Sequence, residues 1–232
     1  EALRLEPDYS KAWHNRAFAK SDMGDIEGAL TDIDHALKRP DSAMDEAIMR
    51  FARSTMSLAL GRIAEGWKEY EARLSPDLME APHFHIPLTR WSNEDLKGKS
   101  LFICAEQGLG DEVMFSSMLP DILELLGPEG SLTLAVERRL TPLFERSFPN
   151  VEVTPHRTFQ YEGRAYRTAP DIEDWSRFDY WAPLGDFLHG LRGSLEAFPR
   201  STGYLKPDPE RVAHWRNELA KLGPGPKVGL LW

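Results

Sequence analysis

One pattern of small residues and turn breakers recurs along the first third of this chain, and it restricts the fold more than any other feature. Residues 12–40 read AWHNRAFAKSDMGDIEGALTDIDHALKRP, with Trp13, Ala17, Gly24, Ala29, Ile33, Ala36 and Pro40 as its fixed points. Apolar residues at helical spacing on both sides of a glycine predict two amphipathic helices joined by a short turn. Helices that cross at close range need small side chains there, and Ala17 and Ala29 supply them. Gly24 falls where the first helix must end and turn, a position that favours φ > 0. Pro40 blocks continuation of the second helix. The opening stretch ALRLEPDY, 2–9, matches the tail of such a unit, with Ala2 at the place of Ala36 and Pro7 near that of Pro40. The chain is therefore expected to open inside an array, as a fragment. Residues 45–74 form a third, degenerate unit: Gly61 follows Gly24, Gly66 replaces Ala29, and Trp67 and Tyr70 add bulk.

These spacings resemble the tetratricopeptide repeat, whose period is about 34 residues. The resemblance implies helical hairpins over 1–74 and a protein or peptide partner bound by them. Trp13, Trp67 and Tyr70 read as core packing, and EGWKEYEARL, 65–74, as a terminal unit docking on the next part of the chain.

A linker is expected over 75–97, with Pro76, Pro82 and Pro87. His83 and His85 alternate as two ligands on a strand would, but no third ligand stands at a sensible spacing, so no metal is expected. Trp91 reads as an anchor of the linker against a domain face.

After Lys99 the period changes. SLFICAE, 100–106, is a continuous apolar run of strand length, as in a strand buried on both faces. QGLGDEVMFSSMLPDILELLG, 107–127, predicts a tight turn and an amphipathic helix with Met114, Phe115, Met118, Leu119, Ile122 and Leu125 buried, and Pro120 either kinking it or starting a new segment. Strands are expected at 131–137 and 151–155 and a helix at 139–148. Residues 156–176 read as an irregular excursion. A strand and helix are expected within 178–191, a linker in 204–208, and an amphipathic helix in 209–222 with Val212, Trp215, Leu219 and Leu222 on one side. KVGLLW, 227–232, reads as a strand. Such alternation predicts a parallel α/β sheet over 98–225. The fold class is thus α followed by α/β.

Composition excludes several functions. The chain has 232 residues, 37 acidic against 28 basic, for a formal charge of −9. A general nucleic-acid binder would show a basic surplus. No apolar run is long enough to span a membrane. One cysteine, Cys104, excludes an intramolecular disulfide and a cysteine zinc site. It reads as a small core side chain and fits a reducing, cytoplasmic setting.

The chemistry points to EQGLGDE, 106–112, where a strand runs through a glycine-rich turn into a helix. Ligands of open α/β sheets bind at the carboxyl ends of strands, and a helix start offers backbone N–H groups to an anion. The third glycine of a dinucleotide fingerprint is absent, and no G-K-[ST] makes a P-loop. Asp111 and Glu112 suit the helix macrodipole as well as a functional role. Glu106 reads equally as a substrate-orienting group or as a strand-end carboxylate satisfied by backbone N–H groups. His156 and Arg157 come directly after a strand end and read as a solvated loop before a ligand contact. Asp179 to Pro183 is a further stretch near a strand end, and His189 and His214 read as surface or satisfied positions.

EQGLGDEVMFSSMLPDIL resembles the start of the glycosyltransferase domain fused to tetratricopeptide repeats in bacterial proteins, a domain similar to the heptosyltransferase-like family 9. RLTPLFERSFPNVEV, FDYWAPLGDF and KVGLLW extend the likeness. It implies a Rossmann-like half of a GT-B fold over 98–225, with 226–232 opening a second, donor-binding half. It also implies metal-free, inverting sugar transfer from a nucleotide-sugar donor to a sugar or protein acceptor. Asp111 would be the catalytic base, with Gly108 and Gly110 shaping the turn and Glu106 and Gln107 contacting substrate. No cofactor is expected on this chain itself. The competing expectation is a non-catalytic scaffold whose repeats bind a protein, and a third is an anion-binding turn at 107–112 without chemistry.

Overall fold

The computed structural model describes residues 1–78, 81, 83–200 and 203–230. It is a mixed helix and sheet protein with a four-stranded parallel sheet. A short helix α1 (Ala2–Leu5) precedes two helical hairpins: α2 (Ser10–Asp22) with α3 (Ile26–Ala36), and α4 (Ala43–Ala59) with α5 (Ile63–Glu69). Gly24 and Gly61 take φ of 84° and 76° at the two turns, a left-handed backbone that an L side chain rarely adopts. Asp25 caps α3 by accepting from the Gly28 N–H, and Ser42 caps α4 by accepting from that of Asp45. Ala17, Ala29, Ile33, Ala52 and Met56 close a core among α2, α3 and α4. Gly66 is needed where α5 crosses α4, because a Cβ there would lie 2.6 Å from Leu58. Trp13, expected in this core, is half-buried at its edge. Its Nε1 donates to the Pro7 carbonyl and its ring stacks on His35 at 4.4 Å between centroids.

A 3-10 segment Tyr70–Leu74 carries the chain out of the hairpins. The described linker residues pack against the α/β part. β1 (His83–Phe84) pairs with a later strand, Arg90 bridges Trp181, and Trp91 stacks on Phe187 at 4.6 Å and 9°. Pro82 lies outside the described residues.

The α/β part runs as β2 (Ser100–Cys104), α6 (Leu109–Phe115), α7 (Leu119–Leu126), β3 (Ser131–Val136), α8 (Thr141–Ser147), β4 (Glu152–Pro155), β5 (Arg157–Tyr161), β6 (Arg164–Thr168), β7 (Tyr180–Pro183) and α9 (Leu188–Leu191). The sheet order is β4-β3-β2-β7, all parallel. Leu101, Ile103 and Ala105 pack on one face with Met118, Leu119, Ile122 and Phe144 from the helices. Phe102 and Cys104 pack on the other with Trp181, Phe178, Ala169 and Ile172, under the linker residues Phe84, Ile86 and Leu88. Helices therefore cover one face, while the linker and the 169–178 stretch cover the second. Pro120 starts α7 as a new segment after a 3-10 turn at 116–118. That break rotates Met114 and Leu125 outward, and both are exposed, against expectation.

Two expectations fail here, and one expected helix forms without a partner surface. Residues 157–168 form a hairpin, not an irregular loop: β5 and β6 pair antiparallel across Glu162 and Gly163, both at positive φ, and with β1 make a second sheet of three strands. Helix α10 (Pro209–Ala220) forms, but none of its residues is buried, and Val212, Trp215 and Leu219 are exposed, as is Leu222 beyond its end. Residues 227–230 form no strand, and Leu231 and Trp232 lie outside the described residues.

Candidate functional site

The carboxyl edge of the parallel sheet gathers residues from four strand ends. β2 leaves its last rung into Ala105 and the buried Glu106, and Gln107 then reverses the chain at φ 62°. The Arg167 guanidinium, buried on β6, donates to the Ala105 carbonyl at 2.7 Å and reaches that of Gln107 at 3.4 Å. The reversal is thus clamped from the hairpin sheet. Gly108 is the N-cap of α6, and Asp111 folds back to accept from the Gly108 N–H at 3.1 Å. Gly108, Leu109 and Gly110 are exposed, and Asp111 is half-exposed. Asp111 makes no ion pair among the described residues, so a carboxylate oxygen remains open to a ligand.

Glu106 does not join this turn. Its carboxylate receives Arg73 in a bidentate pair at 2.6 and 2.8 Å and the Gly185 N–H at 2.7 Å. Both side chains of that pair are 1% exposed. The same guanidinium reaches Asp186 at 3.0 Å, whose other oxygen holds Arg90 at 2.7 Å. Burial pushes the Asp186 carboxyl above its ordinary range, against the pull of Arg73 and Arg90. Burial works most strongly against the Arg73 charge, but Glu106 and Asp186 together outweigh it and keep the guanidinium protonated. Arg73 further covers the Tyr70 ring at 4.5 Å, and burial, reinforced by Glu106, raises the Tyr70 phenol. A substrate contact by Glu106 would require breaking this pair. The reading that fits is a structural carboxylate, satisfied mainly by an arginine and only secondarily by a backbone N–H.

Glu112, one residue past Asp111, is buried and ties α6 to two strand ends. One oxygen accepts from the Glu137 N–H and the other meets His156 Nε2, both at 2.8 Å. His156 is therefore not on a solvated loop; its side chain is 6% exposed. Asp179 lies at the amino end of β7, the opposite edge, where it accepts from the Ser100 N–H and holds Lys99. Cys104 is buried, and burial pushes its thiol well up. His189 and His214 are exposed. His83 and His85 belong to no metal-ligand cluster, and none exists among the described residues. No described helix is long and apolar enough to cross a membrane.

Arg73, Arg90, Arg167 and the Glu112–His156 pair were missed by sequence reasoning. Their partners lie between 33 and 113 residues away, and nothing local marks them. A cavity of about 760 Å³ opens near Arg73, Arg90, Trp91 and Asp186, but Asp111 does not line it.

Among known proteins the chain has a close relative. It is 65% identical over all 232 residues to Protein FlbA of Caulobacter vibrioides, and spans 39% of that protein's length. No family model matches the chain. No solved structure matches it.

Proposed function

We propose that this chain is part of a glycosyltransferase that moves a sugar from a nucleotide-sugar donor to an acceptor hydroxyl, with Asp111 as the base. The observation that carries the reading is the geometry of the 107–111 turn. Asp111 stands at the carboxyl end of a central parallel strand, half-exposed, held by one backbone N–H and by no cation among the described residues. In the proposed step the Asp111 carboxylate takes the acceptor hydroxyl proton as that oxygen bonds to the anomeric carbon. The bond from that carbon to the nucleoside diphosphate breaks, and the diphosphate leaves with its electron pair. The configuration inverts. A Cβ added at Gly108 would lie 3.7 Å from the Asp111 carboxylate, and one at Gly110 would meet nothing within 4 Å, so the turn stands open beside Asp111.

The donor half belongs, in this reading, to the remainder of a longer protein of the length that Protein FlbA has. The helical hairpins at 1–74 are tetratricopeptide-type units that bring a protein partner or acceptor to the site. The sheet at 98–225 is the acceptor-side half of a GT-B pair. The fit of Trp67 against the α/β part, with its Nε1 donating to the Arg192 carbonyl at 3.0 Å, supports a fixed relation between hairpins and site.

The test uses the longest natural protein and a panel of nucleotide sugars, reading nucleoside diphosphate release. Asp111→Asn is expected to lower turnover by about 10²- to 10⁴-fold with an unchanged circular dichroism spectrum. Equal turnover in the variant, or no donor binding by the whole protein, sinks the reading.

A further inference from the structure

The geometry points to a binding site for a phosphoryl group at the carboxyl ends of β3 and β4, separate from Asp111. A cavity of about 390 Å³ opens there, lined by Glu137, Arg138, Pro155, His156, Arg157 and Thr158, among others. Its floor contains a buried, oriented imidazole. His156 Nε2 faces the Glu112 carboxylate at 2.8 Å, and because an ionised carboxylate only accepts, the ring proton is assigned to Nε2. The second Glu112 oxygen is already held by the Glu137 N–H. The ring is therefore fixed, and its Nδ1 makes no hydrogen bond to the described residues. With the proton on Nε2, Nδ1 is left as an acceptor, which suits the single P–O–H of a monoprotonated phosphoryl group while the guanidinium groups meet its ionised oxygens.

The charge around the cavity is the second observation. Arg138 and Arg157 are exposed at its rim, and neither has a carboxylate within ion-pair distance among the described residues. Glu137, the acidic group on the wall, is turned aside: its two oxygens accept from the N–H and Nε of Arg139. Two guanidinium groups without a carboxylate partner thus line the same cavity as the fixed imidazole. Their donors outnumber what a carboxylate accepts and suit the three terminal oxygens of a phosphoryl group. Arg167 does not compete for the ligand, because its nitrogens serve Thr158 and the Ala105 and Gln107 carbonyls. The site does not depend on sugar transfer and would stand if that reading fell.

The test is a titration of the full ¹⁵N-labelled chain with phenyl phosphate, and separately with benzoate, at constant ionic strength. Saturable amide shifts confined to 137–139 and 156–158 are expected with phenyl phosphate, with benzoate about tenfold weaker. Arg138→Ala and Arg157→Ala, both at exposed positions, should each weaken phenyl phosphate about tenfold. The charge-matched single variant Arg211→Ala on α10 should leave it unchanged. The proposal is overturned by shifts that do not saturate, by equal response to both probes, or by equal loss in the α10 variant.

Discussion

At the scale of the residue, the molecule turns on one glycine and one arginine. A Cβ at Gly185 would lie 2.6 Å from a Glu106 oxygen and 2.7 Å from an Arg73 nitrogen. Those atoms are buried and paired, so they have no free space to retreat into. Gly185→Ala is expected to destabilise the protein by about 1–3 kcal/mol, read as a lowered urea midpoint with an unchanged slope. A neutral result would mean that the pair shifts without cost. Legibility differs sharply between neighbours here. The place of Asp111 at a strand-to-helix turn was readable because a strand, two glycines and a helix start are all local signals. Glu106 and Glu112 were not, since their meaning depends on Arg73 and His156, which only the tertiary fold brings near. The same limit hid the role of Gln107, whose positive φ is held by Arg167 from another sheet.

At the scale of the element, the first hairpin rests on a buried carboxylate as well as on its alanines. Asp32, on α3, is 1% exposed and meets Arg16 at 2.6 Å and Lys20 at 3.0 Å, both from α2. The Arg16 hydrogen bond is the main cause holding its carboxyl below the usual range. A group whose folded pKa is depressed adds stability above its unfolded pKa and loses it as pH falls through the folded value. Asp32→Asn should cost about 1–2 kcal/mol at pH 7, and that difference should shrink below about pH 4. Parallel denaturant titrations of the wild type and the variant would show it; a gap constant with pH would disprove the linkage. The helices and parallel strands were legible because their apolar periods are long. The β5–β6 hairpin was not, because Glu162-Gly163 puts a glutamate at the positive φ that the two-residue turn usually gives to Asn, Asp or Gly. Its arginines, serving distant carbonyls, masked the alternation. Helix α10 was legible as a helix, but its burial was not, because amphipathicity marks a face without saying whether anything covers it.

At the scale of the whole molecule, Arg73 joins two bodies that the sequence reading placed on either side of a linker and expected to dock through 65–74. The hairpins supply the guanidinium, and the sheet supplies Glu106 and Asp186. Removing one partner of a buried pair costs about 3–5 kcal/mol, since the other charge stays buried. Arg73→Met is therefore expected to split one calorimetric transition into two, the hairpins and the sheet melting apart. A single transition at lower temperature would show that Trp67, Tyr70 and Phe115 suffice to couple them. The network also sets a schedule for the growing chain. Asp186 comes 113 residues after Arg73, a delay on the order of ten seconds at ordinary rates of synthesis. The hairpins can form as they leave the ribosome, but their last arginine stays in water until the end of β7 emerges. The costly removal of that charge from water thus waits until both of its counterions exist, so an interrupted chain leaves a hydrated surface where the finished one has an interior.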